Sequence, residues 1–339
     1  MQTRNWIGLA SVVGAAVVAS GTYMRYRNDL NAKSLALEAR SEIVNTTRGS
    51  IEFAREGSGS SVFVIHGAGG GYDQGLLFGR EMLGEDAAII APSRFGYLRT
   101  PMPDDASIGA QAEAHNALLD KLGVNKTIVM GLSAGAPSAV ELALRYPERV
   151  SALILVVPRA YDPDNLMGVS DTVQNKAVPR LMEGSADFAY WLSARVARKP
   201  LLRFFGVEPS LDANAPKEER EKITYIINDM LPISARAEGI RNDSETELPQ
   251  SHLEDINTPT LIITAEDDLF NSLPGARYAA EHIPDAKLTV FKTGGHLLIS
   301  HSEDVRNAVA AFLSEHIDDV AQPPKEKVSA NLSEAIVAD

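Results

Sequence analysis

Short, uninterrupted apolar runs alternate with helical patterns along most of this chain, and that alternation limits the possible folds more than any other feature. Residues 61–65, 87–91, 127–132, 150–157, 260–265 and 288–291 read as strands. Strands apolar on both faces need cover on both faces, so they are expected in a mainly parallel sheet between helices, an α/β fold. Residues 41–46 and 50–55 flank Arg48-Gly49 and read as a hairpin. Ser107 caps a helix expected to reach residue 122, Pro147 ends one over 136–146, and the last helix is expected over 302–317. Between 150–157 and 260–265 the alternation stops. Residues 158–250 show helical patterning without a convincing strand, clearest over 187–197 and 218–230, and read as a helical cap inserted between two strands. The core is then 28–157 together with 251–317, and the polar stretch 318–339 reads as a flexible tail.

Residues 5–24 carry no charge, with Arg4 before them and Arg25 and Arg27 after. About twenty helical residues span roughly 30 Å, the hydrocarbon thickness of a bilayer. Trp6 and Tyr23 lie near the two ends, where interfacial aromatics collect. Residues 1–27 are therefore expected to anchor the chain in a membrane, with the remainder on the extracytoplasmic side. The competing reading is a signal peptide cleaved near Val17-Val18-Ala19 or Val18-Ala19-Ser20. Residues 28–39 read as a linker or short helix. The chain has 32 Lys and Arg against 45 Asp and Glu, a net charge of −13, which argues against nucleic acid as a partner. It has no cysteine, so disulfides, thiolate metal sites and cysteine nucleophiles are excluded.

The chemistry is concentrated at Gly131-Leu132-Ser133-Ala134-Gly135, between the strand 127–132 and the helix 136–146. A strand that turns sharply into a helix lifts the central serine above the sheet, and the crowding there demands small neighbours. The helix N-terminus favours developing negative charge. A serine is a poor nucleophile at neutral pH unless a base takes its proton and a carboxylate orients that base. His296 follows the strand 288–291 by a short Gly294-Gly295 loop. His301 is its nearest rival, whereas His115, His282 and His316 fall on expected helices and read as surface residues.

From about residue 42 to 317 the chain resembles the α/β-hydrolase family. Besides the serine pentapeptide, His66-Gly67-Ala68-Gly69 resembles the family's oxyanion loop. Thr258-Pro259-Thr260-Leu261-Ile262-Ile263 resembles the strand leading to the acid, and Gly294-Gly295-His296 the histidine loop. Ser93-Arg94-Phe95-Gly96-Tyr97 resembles the loop written D-x-x-G-x-G-x-S, with Pro92-Ser93 in place of the leading acid and Leu98-Arg99 in place of the Gly-x-Ser. The resemblance implies a triad of Ser133, Asp268 and His296, with Asp268 lying three residues past Ala265. Asp267 and Asp162 remain alternatives for the acid. It also implies an oxyanion hole from the backbone amides of Ala68 and Ala134.

The expected reaction is hydrolysis of an ester of a small, largely apolar substrate, without metal or organic cofactor. Carbon–carbon bond hydrolysis of a diketone-type acid and a ligand-sensing protein on the same fold are the alternatives. Met167, Met182, Phe188, Tyr190, Trp191, Phe204 and Phe205 either form an apolar substrate pocket or pack the cap onto the core. Arg180, Arg195 and Arg198 either meet an acidic substrate group or form a solvated face.

Overall fold

A computed structural model describes residues 2–84, 87–163 and 186–316, with side chains from residue 17 onward. The tail 318–339 and the cap residues Met167, Arg180 and Met182 lie outside the described residues. The strands are β1 (Glu42–Thr46), β2 (Gly49–Glu56), β3 (Ser60–Ile65), β4 (Ala87–Pro92), β5 (Thr127–Leu132), β6 (Val150–Val156), β7 (Thr260–Ala265) and β8 (Lys287–Phe291). They form one eight-stranded sheet in the order β1-β2-β4-β3-β5-β6-β7-β8. The β1–β2 and β2–β4 pairs are antiparallel and the others parallel.

Strand periodicity sends alternate side chains to opposite faces. On one face Ile128, Met130, Ala152, Ile154, Leu261 and Ile263 share a buried cluster. On the other, Val129, Leu153, Leu155 and Ile262 join a second. The first is covered by α2 (Tyr72–Leu83) and a C-terminal helix (Ser302–His316), which contribute Leu76, Val305, Val309 and Phe312. The second is covered by α3 (Ile108–Lys121), α4 (Ala136–Arg145) and a later helix (Ser272–His282), through Leu118, Leu142 and Ala276. Both faces are dry, hence the continuous apolar runs in the sequence.

Between β6 and β7 the described cap residues fold as α5 (Ala186–Val196), α6 (Arg198–Phe204), α7 (Pro209–Asn214), α8 (Lys217–Asp229) and α9 (Ala237–Glu245). The helices after β7 and β8 are α10 (Ser272–His282) and α11 (Ser302–His316). The molecule thus has an α/β-hydrolase sheet with a helical insert after β6, as the sequence predicts.

The N-terminus departs from expectation. Residues 2 to 39 form one unbroken helix, α1 (Gln2–Ala39), and residues 28–39 are part of it rather than a linker. Among the described residues no helix is long and apolar enough to cross a membrane. That finding corrects the expected membrane anchor at 1–27, and the membrane partner and location that went with it. The physical reason is twofold: Ala, Gly and Ser dilute the hydropathy of the uncharged stretch, and the helix runs on into a charged half that docks on the cap. Tyr26 and Leu37 are buried, and the Tyr26 ring packs against Phe188 and Trp191 of α5. Asp29 accepts hydrogen bonds from Trp191 Nε1 at 2.8 Å and Arg195 Nη2 at 2.7 Å. Lys33 pairs with Asp229 at the end of α8.

Candidate active site

The turn from β5 into α4 holds Ser133 at φ 47°, the left-handed region that a side-chain-bearing residue adopts only under constraint. Packing supplies the constraint. A Cβ on Gly135 would lie 2.5 Å from the carbonyl oxygens of His66 and Ile65. One on Gly131 would lie 2.7 Å from Ala139 Cβ and 2.8 Å from Ala136 Cα. The elbow can press against β3 and α4 only because both positions are glycine.

Ser133 Oγ lies 2.8 Å from His296 Nε2, and His296 Nδ1 lies 2.8 Å from Asp268 Oδ2. With the carboxylate at Nδ1 the proton resides there, leaving Nε2 to accept from the serine hydroxyl. Asp268 is held in turn: Oδ1 accepts from the Phe270 amide at 2.9 Å and Oδ2 from the Ser272 hydroxyl. Burial by itself raises the Asp268 carboxyl. The attraction of His296 and these hydrogen bonds outweigh burial and hold it below the ordinary carboxylate value.

The other candidates fall elsewhere. Asp267 points at the histidine loop, where Oδ1 accepts from the Gly295 amide at 2.8 Å and Oδ2 from that of Gly294 at 3.3 Å. Asp162 lines the cavity. His301 pairs with Asp304 at 2.9 Å and stacks on Phe291. His115 is a correction: it is 1 % exposed, against Phe63 and 3.3 Å from the Ser138 hydroxyl, and burial lowers it to about 3. Its helix face meets α4 rather than solvent. Arg195 pairs with Asp29 and Arg198 with Asp212, so neither reaches the cavity.

The loop after β3 is pinned amide by amide. The Gly67 amide donates to Gln74 Oε1 at 2.8 Å, that of Gly69 to the Tyr97 hydroxyl at 3.4 Å, and that of Gly70 to the Gly67 carbonyl at 3.3 Å. The Ala68 amide makes no such bond among the described residues. Gln74, in the first turn of α2, was not singled out by sequence; only its contact with Gly67 marks it. His66 is buried, and burial followed by the charge of Arg94 keeps its ring well below the ordinary histidine value. Neutral, it accepts the Arg94 amide at Nε2, 2.9 Å away, and Nδ1 donates to the Gly67 carbonyl, 2.7 Å away.

The departure at Ser93 is compensated from β2. Glu52, 1 % exposed, accepts the Ser93 hydroxyl at 2.9 Å and the Arg99 guanidinium at 2.7 Å. Ser93 Oγ in turn accepts the Tyr72 amide at 3.1 Å. A glutamate on a neighbouring strand thus supplies the negative charge that the loop itself lacks.

Two buried ion pairs fasten the cap over this loop. Arg236, just before α9, clamps Asp73 through two hydrogen bonds of 2.7 and 3.1 Å and also donates to the Gly70 carbonyl. Asp243 on α9 clamps Arg94 through bonds of 2.7 and 2.6 Å and accepts from the Tyr97 hydroxyl. Beneath the cap lies a cavity of about 820 Å³, lined by Ser133, Ala68, Ala134 and His296 and by Phe204, Phe205 and Met230. Among the described residues no group of three His, Cys, Asp or Glu is placed to hold a metal ion.

A mainly parallel sheet with a glycine-flanked serine at a strand–helix elbow and a cap inserted after β6 defines a class, and the alpha/beta hydrolase fold family matches residues 61–301. The chain belongs to that family and is a hydrolase. It is 29% identical over 273 residues to an uncharacterized hydrolase, YcgS, of Bacillus subtilis, covering 77% of this chain and 93% of that one. It is 26% identical over 267 residues to the 2-hydroxymuconate semialdehyde hydrolase of Pseudomonas putida, covering 77% of this chain and 89% of that one. The solved structure of an alpha/beta hydrolase fold protein from Nakamurella multipartita superposes with a TM-score of 0.63 at 28% identity, covering 80% of this chain and 98% of that one.

Proposed function

We propose that this hydrolase cleaves esters of small, largely apolar substrates through an acyl-enzyme formed on Ser133. The observation that carries the reading is the unbroken hydrogen-bonded chain from Ser133 through His296 to Asp268 at the wall of the capped cavity. In this reading Ser133 Oγ attacks the carbonyl carbon while His296 Nε2 takes its proton. The negative charge that develops on the carbonyl oxygen is met by the Ala68 and Ala134 amides, the first of which has no acceptor among the described residues. His296 then gives its proton to the departing alcohol. Water, deprotonated by the same nitrogen, releases the acid. Asp268 stays ionised and stabilises the imidazolium throughout.

A fluorophosphonate probe, together with a panel of p-nitrophenyl esters of increasing acyl length, tests this. Covalent labelling of the wild type and its loss in Ser133→Ala are expected, with ester turnover lost in parallel. Labelling that persists in Ser133→Ala would overturn the assignment. Carbon–carbon bond hydrolysis of a diketone-type acid is the second reading, favoured by likeness to a curated relative named for a semialdehyde substrate. Turnover of such an acid together with inertness towards every ester would select it.

A further inference from the structure

We propose that Arg159 is an anion-recognising residue of the cavity, and that the preferred substrates carry a carboxylate besides the bond that is cleaved. The proposal rests on the assignment of this cavity as the active site. Of Arg180, Arg195 and Arg198, which by sequence either meet an acidic substrate group or form a solvated face, the two that are described are spent on Asp29 and Asp212. Arg159 sits three residues beyond Val156, where β6 ends. Its own amide donates to the Ser133 carbonyl at 3.1 Å, so its backbone is fixed directly against the elbow. Arg159 lines the same cavity as Ser133 and His296.

The hydrogen-bonding state of this guanidinium is unusual. Nη2 donates to the Thr246 carbonyl at 2.6 Å, and Nε is buried without an acceptor. Nη1 makes no hydrogen bond among the described residues and is not sealed off as Nε is. No carboxylate of the described residues lies within ion-pair distance of it. Arg94 and Arg236, the fully buried arginines nearby, each hold a carboxylate through two bonds. Asp243 is the acid closest in effect to Arg159, but it is already committed to Arg94 and Tyr97. Burial, reinforced by Arg94 and opposed by Asp243, lowers the Arg159 guanidinium from its ordinary value, as expected of a cation that lacks a partner.

A desolvated cation with donors to spare is costly to keep unless something binds it. A planar guanidinium matches a carboxylate in shape and charge. Glu245 and Glu247 at the cavity rim are exposed, so water screens them, while the field of Arg159 acts in a drier region. Among the described residues that line the cavity, Arg159 is the one Lys or Arg, beside Asp162, Asp243, Glu245 and Glu247. The two readings of the reaction accommodate such a substrate equally: the half-ester of a dicarboxylic acid, or a keto acid.

The experiment compares mono-p-nitrophenyl esters of dicarboxylic acids, from succinate to suberate, with neutral p-nitrophenyl esters of the same chain length. At the best length the wild type is expected to favour the charged ester in kcat/KM by about tenfold or more, the size of one good charge-assisted contact. Arg159→Met is expected to remove that ratio, and Arg159→Lys to keep part of it. Thermal midpoints report whether the substitutions disturb folding; the ratio is read within each variant, so a general loss of activity does not imitate the effect. No preference for the charged ester at any length, or a ratio that survives Arg159→Met, would overturn the proposal. Binding of monomethyl adipate to Ser133→Ala, with and without Arg159→Met, reads the same contact without catalysis. If the esters are inert but binding depends on Arg159, the ester reading fails and the anion site stands. If binding is indifferent to Arg159, the anion site fails.

Discussion

At the scale of single residues, two adjacent aspartates have different tasks. Asp268 orients His296, while Asp267 ties down the Gly294 and Gly295 amides of the loop that carries it. Asp268→Asn is expected to lower kcat by about 10⁴, because the imidazole loses both its tautomer preference and the charge that stabilises its protonated form. Asp267→Ala loosens the loop and is expected to cost roughly 10–100-fold, since a small misplacement of the base is expensive. Steady-state kinetics on one ester separates them, and the reverse ranking would exchange their roles. Gly135→Ala sets a methyl against two carbonyl oxygens 2.5 Å away, where backbone has to move. It is expected to lower stability by about 1–3 kcal/mol by urea unfolding and to abolish labelling by the fluorophosphonate, because the elbow that presents Ser133 shifts.

At the scale of elements, α1 is the part whose role changes most on folding. Its charged half packs on α5 and α8 through Tyr26, Asp29 and Lys33, and on the core beside α2 through Leu37. Removing residues 2–39 exposes the apolar surface that Tyr26 and Leu37 cover, worth about 1.5–3 kcal/mol for each side chain, and breaks the Asp29 and Lys33 contacts. A fall in thermal midpoint of roughly 5–10 °C is expected. Removing only residues 2–22 leaves these contacts in place and is expected to change the midpoint by far less. Equal midpoints for the two truncations would show that the docking contributes nothing.

At the scale of the whole molecule, buried charge and buried neutral histidines set two responses. Arg236→Met leaves Asp73 charged beneath the cap and is expected to destabilise by about 3–5 kcal/mol, much of which Arg236→Met combined with Asp73→Leu restores. A double-mutant cycle in urea reads this, and additive losses would deny the coupling. His115 is held to about 3, so below its ordinary value of 6.5 the unfolded chain binds a proton that the folded chain refuses. Stability from this source is fully present above pH 6.5 and declines as pH falls towards 3. At pH 5 the loss is about 2 kcal/mol for His115 alone, and His66, shifted in the same direction, adds to it. In His115→Gln the slope of unfolding free energy against pH between 5 and 6 is expected to fall by nearly one proton; an unchanged slope would mean that His115 protonates freely in the folded chain.

The amino-acid order by itself determined the alternation of strand and helix, the insert between β6 and β7, and the elbow at Ser133. Each is written in near neighbours: apolar runs that need two covered faces, Gly131 and Gly135 beside a turn that admits no larger side chain, and a helix pattern that begins at once behind it. Only the tertiary structure decided what depends on groups distant in the chain. Ser133 and His296 are 163 residues apart, and His296 and Asp268 are 28 apart. Which of two neighbouring carboxylates faces the imidazole is a matter of side-chain direction at the end of β7, which composition does not encode. Likewise Glu52 on β2 supports the Ser93 loop, α4 buries His115, and the cap receives α1, because each is satisfied by an element that folding alone brings near. Arg159 has the same origin: a guanidinium beside the elbow becomes conspicuous only when Asp243 is committed to Arg94 and Tyr97.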